Sequence, residues 1–184
     1  MRLFVAVNLS EDIKSRLLEI QSQLRSRALR GNFTRPENLH LTLAFLGETP
    51  EGKLEKLFRM MEEIHRNQRF PQKPFDVVFN RCGCFTHSRK ELWWIGADRD
   101  CPGLPLLEAI HGQLLELLDE GDFAVDKRPF SAHITLAREV KLRQPEVLDC
   151  PKITVRVDHI SLMESGHIRG VLTYTELMRR QLSR

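Results

Sequence analysis

The stretch NLHLTLAFLG, residues 38–47, sets His40 and Thr42 two residues apart in an alternating pattern that assigns Leu41, Leu43 and Phe45 to the opposite face. SAHITLAR, residues 131–138, repeats the arrangement, with His133 and Thr135 alternating with Ile134 and Leu136. The offset is 93 residues for both pairs. Side chains at i and i+2 of a strand share a face, so each strand presents one imidazole and one hydroxyl together. Brought into one cleft, such a set suits displacement at phosphorus. That reaction needs a base for the nucleophile and an acid for the leaving oxygen, and the two must lie on opposite sides of the phosphorus. Imidazole titrates near ~6.5 and can fill either role at neutral pH. Threonine hydroxyls can donate to non-bridging phosphate oxygens. Fixed donors beside an acid–base pair supply the charge stabilisation without a metal. One H-x-T strand alone is an ordinary polar strand face. The duplication, with flanks HLTLAF and HITLAR, is what asks for a shared cleft.

The surrounding elements must hold these two strands face to face. RLFVAVNL (2–9) reads as a first strand, followed by a helix over 11–29 with Ser10 as cap, Glu11 and Asp12 in its first turn, and Ile13, Leu17, Ile20 and Leu24 at helical spacing. Gly31 closes that helix, and FTRPEN is a loop whose Pro36 keeps Arg35 out of helical geometry. After the first His–Thr strand (39–46), Thr49-Pro50 reads as a cap and first helical residue for a helix over 50–66. Residues 74–85 and 91–98 form a hairpin, and a third helix runs over 103–119 to Gly121. The second His–Thr strand spans 132–138. Residues 152–165 and 171–179 close the chain as two β-rich segments around Gly170. A strand and a long helix precede each His–Thr strand. The expected architecture is therefore α+β, with two pseudo-twofold-related lobes of antiparallel sheet and helices around a central cleft, in one domain over 1–184.

Composition narrows the field. The 184 residues suffice for one domain with a proper core or for two small lobes sharing one. With 41% hydrophobic and 29% charged residues, the chain is in the globular range rather than the disordered one. No apolar run approaches the ~20 residues that span a bilayer. MRLFVAVNLSEDIK reads as a strand rather than a secretory signal, so a cytoplasmic protein is expected, with no membrane partner. A net charge of +3 suits an anionic ligand and is far from that of a protein that coats nucleic acid. The basic end LMRRQLSR reads as a solvated terminus. Cys82, Cys84, Cys101 and Cys150 include no C-x-x-C spacing, so reduced, mostly buried thiols are expected, and neither a metal nor a cofactor.

LFVAVNLSEDIK, TRPENLHLTLAFLGE, ELWWIG, RPFSAHITLAR and ISLMES…YTEL, in this order, make the chain resemble the two-histidine (2H) phosphoesterase superfamily. The likeness is to its RNA 2′,3′-cyclic phosphodiesterase branch, also called 2′–5′ RNA ligases. It covers nearly the whole chain and implies a bilobal fold. It also implies hydrolysis of RNA 2′,3′-cyclic phosphate ends to 2′-phosphomonoesters. By motif position, His40 would donate the proton to the leaving 3′ oxygen, His133 would activate water, and Thr42 and Thr135 would hold the phosphate. Some members also join or split 2′–5′ linkages. Substrates would be RNA ends such as tRNA fragments, or small cyclic nucleotides, with no obligate protein partner. The chain departs from the pattern at Ala132, where proline is common before the second histidine, and at His167, where an aliphatic residue is usual.

Further residues are candidates. Strict alternation turns Arg138 to the face opposite His133, but a bulge would redirect it toward the phosphate, where its fork geometry fits. Arg35 is a second candidate for the RNA backbone. His87 and Arg89 fall in a turn that could reach the cleft mouth. Trp93 and Trp94 point to opposite faces, one into the core and one available to stack on a base. His65 and His111 read as surface or packing residues on helices, and His159 has no assigned role. Two other readings compete: an RNA-end binding module that keeps the cleft without catalysis, and a metal site built on the histidines, which lacks Asp or Glu at ligand spacing within either motif.

Overall fold

Apolar residues on one face of each strand and one stripe of each helix dictate the layering. In the computed structural model, which describes residues 1–64, 70–71, 73–87, 90–126, 128–144 and 147–182, nine strands form one antiparallel sheet. They are β1 (Arg2–Asn8), β2 (Ala28–Phe33), β3 (His40–Glu48), β4 (Phe75–His87), β5 (Lys90–Ala97), β6 (His133–Leu142), β7 (Ile153–Val157), β8 (His159–Ile168) and β9 (Val171–Gln181). The order is β7-β4-β5-β6-β3-β1-β8-β9, with β2 pairing onto β6. The helices are α1 (Glu11–Arg27), α2 (Leu54–Glu63) and α3 (Leu104–Glu120).

The two halves meet between β3 and β6, where Leu41 pairs with Ile134. These residues have the same 93-residue offset as the histidines, so a pseudo-twofold axis passes through this pair. It relates β1-α1-β3 to β5-α3-β6, with β8 and β4 as the next strands outward. Leu41, Leu43, Ile134 and Leu136 are fully or almost fully buried on the helix side. The helices cross over, however. α1 packs on β6 and β7, and α3 packs on β3 and β4, so each His–Thr strand is backed chiefly by the helix of the other half.

Several boundaries differ from the sequence pattern. The first helix stops at Arg27 because residues 28–33 are recruited as β2, with Asn32 and Phe33 paired to Arg138 and Ala137. Ser10 does cap α1, its Oγ accepting from the Ile13 N–H at 3.4 Å. Thr49 is not a helix cap; its hydroxyl donates to the Gly47 carbonyl, and a 3₁₀ turn over Glu51–Lys53 delays α2 to Leu54. The segment 152–165 is two strands broken at Asp158, and they go to different halves: β7 pairs with β4, and β8 with β1. All four cysteines are free thiols, but only Cys101 is buried. No helix among the described residues is long and apolar enough to cross a membrane.

The start of α3 is pressed against β4. A Cβ at Gly103 would stand 2.0 Å from the Asp76 carbonyl oxygen, a backbone atom that cannot yield without moving β4. Gly103→Ala is therefore expected to lower unfolding free energy by at least ~2 kcal/mol, within the range of steric core mutations, as read by urea denaturation.

Candidate active site

A cavity of about 810 Å³ lies between the halves. Phe4, His40, Thr42, Phe45 and Tyr174 line it from one side, and Phe85, Leu92, His133 and Arg138 from the other. His111 of α3 and Arg128 to Ser131, in the segment leading into β6, complete the wall.

Both histidines are half-buried at the first position of their strands. His40 Nδ1 is 2.7 Å from the Asn38 carbonyl oxygen, and His133 Nδ1 is 2.7 Å from that of Ser131. A carbonyl can only accept, so each neutral ring carries its proton on Nδ1 and keeps Nε2 for the cavity. His40 Nε2 is 2.9 Å from the Thr42 hydroxyl, which then donates to it. Phe4 packs 4.9 Å from the His40 ring, and Tyr174 meets it edge-on at 5.2 Å. Phe85 stands edge-on to His133 at 5.4 Å, with Trp94 behind it. Burial pushes the His40 pKa down to about 4; the Asn38 carbonyl opposes this, while Arg138 and His133 add repulsion. His133 is also lowered, again chiefly by burial, against the Ser131 carbonyl and with repulsion from Arg138.

One irregularity in each strand redirects the side chains beyond the threonines. Thr42 pairs with Ala6 and Ala44 with Val5, so β3 carries an extra residue, Leu43. Thr135 pairs with Trp94 and Ala137 with Trp93, so β6 carries an extra residue, Leu136. These bulges are again 93 residues apart. Each shifts the alternation by one and turns the next polar-face position into the cavity: Phe45 on one side, Arg138 on the other. Phe45 therefore does not share the core face of Leu41 and Leu43. A carbonyl at each bulge accepts from a side chain of the crossed-over helix, and that of Leu136 also accepts the Thr34 N–H at 2.9 Å. His111 Nδ1 reaches the Leu43 carbonyl at 2.7 Å. The buried Gln21 of α1 donates to the Leu136 and Thr34 carbonyls, both at 2.7 Å.

Of the residues singled out in the sequence, His40, Thr42, His133 and Arg138 line the cavity. Arg138 forms no ion pair among the described residues. Thr135 is half-buried and does not line the cavity. Nor does Arg35, which lies 3.5 Å from Glu37. Its counterpart 93 residues on, Arg128, does line it, with Nε at 2.9 Å from both Asp126 oxygens. Trp93 is core, and the ring of Trp94 covers Gly83 and Gly96, leaving Phe85 as the exposed aromatic on that wall. His111 is a wall residue stacked on Phe130 at 4.3 Å rather than a surface one. His159 is buried, its Nδ1 2.5 Å from Asp158, beside a separate cavity of about 280 Å³. His65, Arg89 and the side chain of His87 lie outside the described residues. No cluster of three or more His, Cys, Asp or Glu side chains that could hold a metal occurs among the described residues.

Asn38, Ser131 and Arg128 went unread in the sequence, as did the cavity-facing position of Phe45 and the bulge in β3, yet a signal exists. Extending the repeat backward pairs Arg35-Pro36 with Arg128-Pro129, and extending it forward pairs Phe45 with Arg138. Phe4, Tyr174 and Phe85 carry no such signal, because only strand pairing brings them to the histidines.

The family model described as LigT like Phosphoesterase matches residues 7–94. The RNA 2′,3′-cyclic phosphodiesterase of Archaeoglobus fulgidus is 34% identical over 150 residues, 81% of this chain and 78% of that protein. The protein of the same name from Thermotoga maritima is 30% identical over 173 residues, 90% and 87% of the two chains. Escherichia coli LigT complexed with 3′-AMP superposes with a TM-score of 0.81 at 27% identity, over 100% of this chain and 98% of that one. With two duplicated His–Thr strands facing one cleft and relatives matched along most of their length, the chain belongs to the LigT-like phosphoesterase family, alongside proteins named RNA 2′,3′-cyclic phosphodiesterase.

Proposed function

We propose that the chain, acting as one bilobal unit, hydrolyses the 2′,3′-cyclic phosphate ends of RNA to 2′-phosphomonoesters, without a metal or cofactor. The observation that carries this reading is the matched pair of imidazoles, each held through Nδ1 by the carbonyl two residues before it, at a cavity shared with Arg138, which has no ion pair among the described residues. In this scheme His133 Nε2 takes a proton from water as the water oxygen bonds to phosphorus. The bond from phosphorus to the 3′ oxygen breaks, and that oxygen takes a proton from His40 Nε2. Arg138 and Thr42, both at the cavity, offset the phosphate charge, with Thr42 giving up its bond to His40. A 5′-hydroxyl in place of water would yield a 2′–5′ linkage by the same proton transfers.

The pKa directions fix the pH behaviour. Burial favours the neutral ring, so both histidines lose their protons below the ordinary value of ~6.5. In the free protein, the form with one proton on the pair is therefore depleted before the pH has risen to this value. It is depleted again below about 4, where both rings hold protons. The profile of kcat/KM should therefore be a bell lying on the acid side of neutrality. A bound phosphate anion raises both pKa values, so the alkaline limb of kcat should lie at higher pH than that of kcat/KM. Initial rates across the acid and neutral range check this, and a kcat/KM that climbs steadily from about pH 6 to 8 contradicts it.

The direct test is incubation, with chelator present, with an oligoribonucleotide ending in a 2′,3′-cyclic phosphate, and then identification of the product end. A 2′-phosphate is expected, with His40→Ala and His133→Ala each lowering the rate by at least ~100-fold and Thr42→Ala lowering it less. Binding that persists in both variants, with no turnover by the unmodified protein, would sink the catalytic reading.

A further inference from the structure

Asn38 sits in the 3₁₀ turn over Pro36–Asn38, immediately before β3, and is 6% exposed. Its side-chain amide makes the pair of bonds that a neighbouring strand would make. Nδ2 donates to the Leu172 carbonyl at 2.9 Å, and Oδ1 accepts from the Tyr174 N–H at 3.3 Å. Both partners belong to β9, which is three strands from β3 in the sheet order. The clamp thus draws an edge strand back over the start of β3. What it draws there is Tyr174, whose ring closes edge-on against His40 and packs on Phe4 at 5.0 Å. The main-chain carbonyl of the same Asn38 receives the His40 Nδ1–H. One residue therefore fixes both the tautomer of His40 and the wall that buries it.

The other half has no such device. The residue 93 positions on, Ser131, holds His133 through its carbonyl in the same way, but it is exposed. The repeat would make the two histidines equivalent, and acid–base work at one phosphorus requires that they differ.

We infer that Asn38 is a positioning residue: by clamping β9 it holds Tyr174 against His40, a wall that His133 lacks, and so keeps the His40 ring in place with its proton on Nδ1. The inference rests on the proposed reaction only for its consequence in catalysis, where a loosened His40 ring spends less time aligned with the leaving oxygen. Its structural content stands apart from turnover.

The test reads the ring nitrogens of His40 and His133 by ¹⁵N NMR in the unliganded full chain. The unmodified protein should show His40 as the Nδ1–H tautomer near neutral pH, although the free ring prefers Nε2–H. In Asn38→Ala, His40 should move toward a mixture of tautomers and titrate closer to ~6.5, while the His133 signals stay in place. If the cyclic phosphodiesterase reaction is observed, kcat should fall by about tenfold or more with a smaller change in KM. Asn38→Asp keeps the acceptor for the Tyr174 N–H, and its ring should keep the Nδ1–H tautomer; this provides a readout should the alanine variant fail to fold. Nε2–H at His40 in the unmodified protein would overturn the inference. So would an alanine variant that merely melts earlier while both rings stay unchanged. A tautomer shift without any turnover would leave this inference standing and remove the proposed reaction instead.

Discussion

The pairing of Leu41 with Ile134 is the contact on which the cleft depends. It is where two four-strand arrays, one of them extended by β2, become one sheet, and it lies on the pseudo-twofold axis. Because β3 and β6 run antiparallel there, His40 and His133 fall one residue from the contact in opposite directions, as do Thr42 and Thr135. The face behind them is aliphatic and excludes water, so the drive to bury Leu41, Leu43, Ile134 and Leu136 is also what holds two imidazoles across a shared space. The crossed-over helices reinforce this seam. α3 satisfies the bulge carbonyl of β3 and α1 that of β6, so each helix ties the strand of the opposite half.

Symmetry places the groups, and departures from symmetry differentiate them. At the bulge, one half offers Phe45 and the other Arg138. Before the histidine, one half has the buried Asn38 and the other the exposed Ser131. Further back, Arg35 stays outside the cavity while Arg128 lines it. The result is a cleft with Arg138 on the β6 side, Arg2 over Phe45 on the other, and an aromatic enclosure that is closer on the β3 side. Repulsion from Arg138 acts on both rings, and His40 is lowered further by the charge of His133.

The His–Thr strands, the hairpin of β4 and β5, the three helices and the bilobal α+β arrangement were legible because each rests on local periodicity or on the duplicated motif. β2 was not. ALRGNF has no strand alternation of its own and is ordered by pairing with β6, a tertiary override of weak propensity. The break at Asp158 was hidden because ITVRV and HISLMES are equally β-forming on either side of it. Phe45 was assigned to the wrong face for a related reason: alternation is a period-2 rule, and a bulge adds a residue that the pattern does not announce. Arg138 was placed correctly only on the condition that such a bulge exists. Arg35 stands outside the cavity lining, which the sequence could not show because a loop position carries no information about direction.

The route of the chain through the sheet also bears on how the protein is made. β1 and β3 come first, but their half is completed by β8 and β9, which come after every strand of the other half. As the nascent chain leaves the ribosome, β4, β5 and β6 can pair with close neighbours in sequence, whereas β1 must wait for β8 with its outer edge uncovered. The half whose first strands are made earlier is thus the last to close, and the enclosure of His40 by Tyr174 waits for β9.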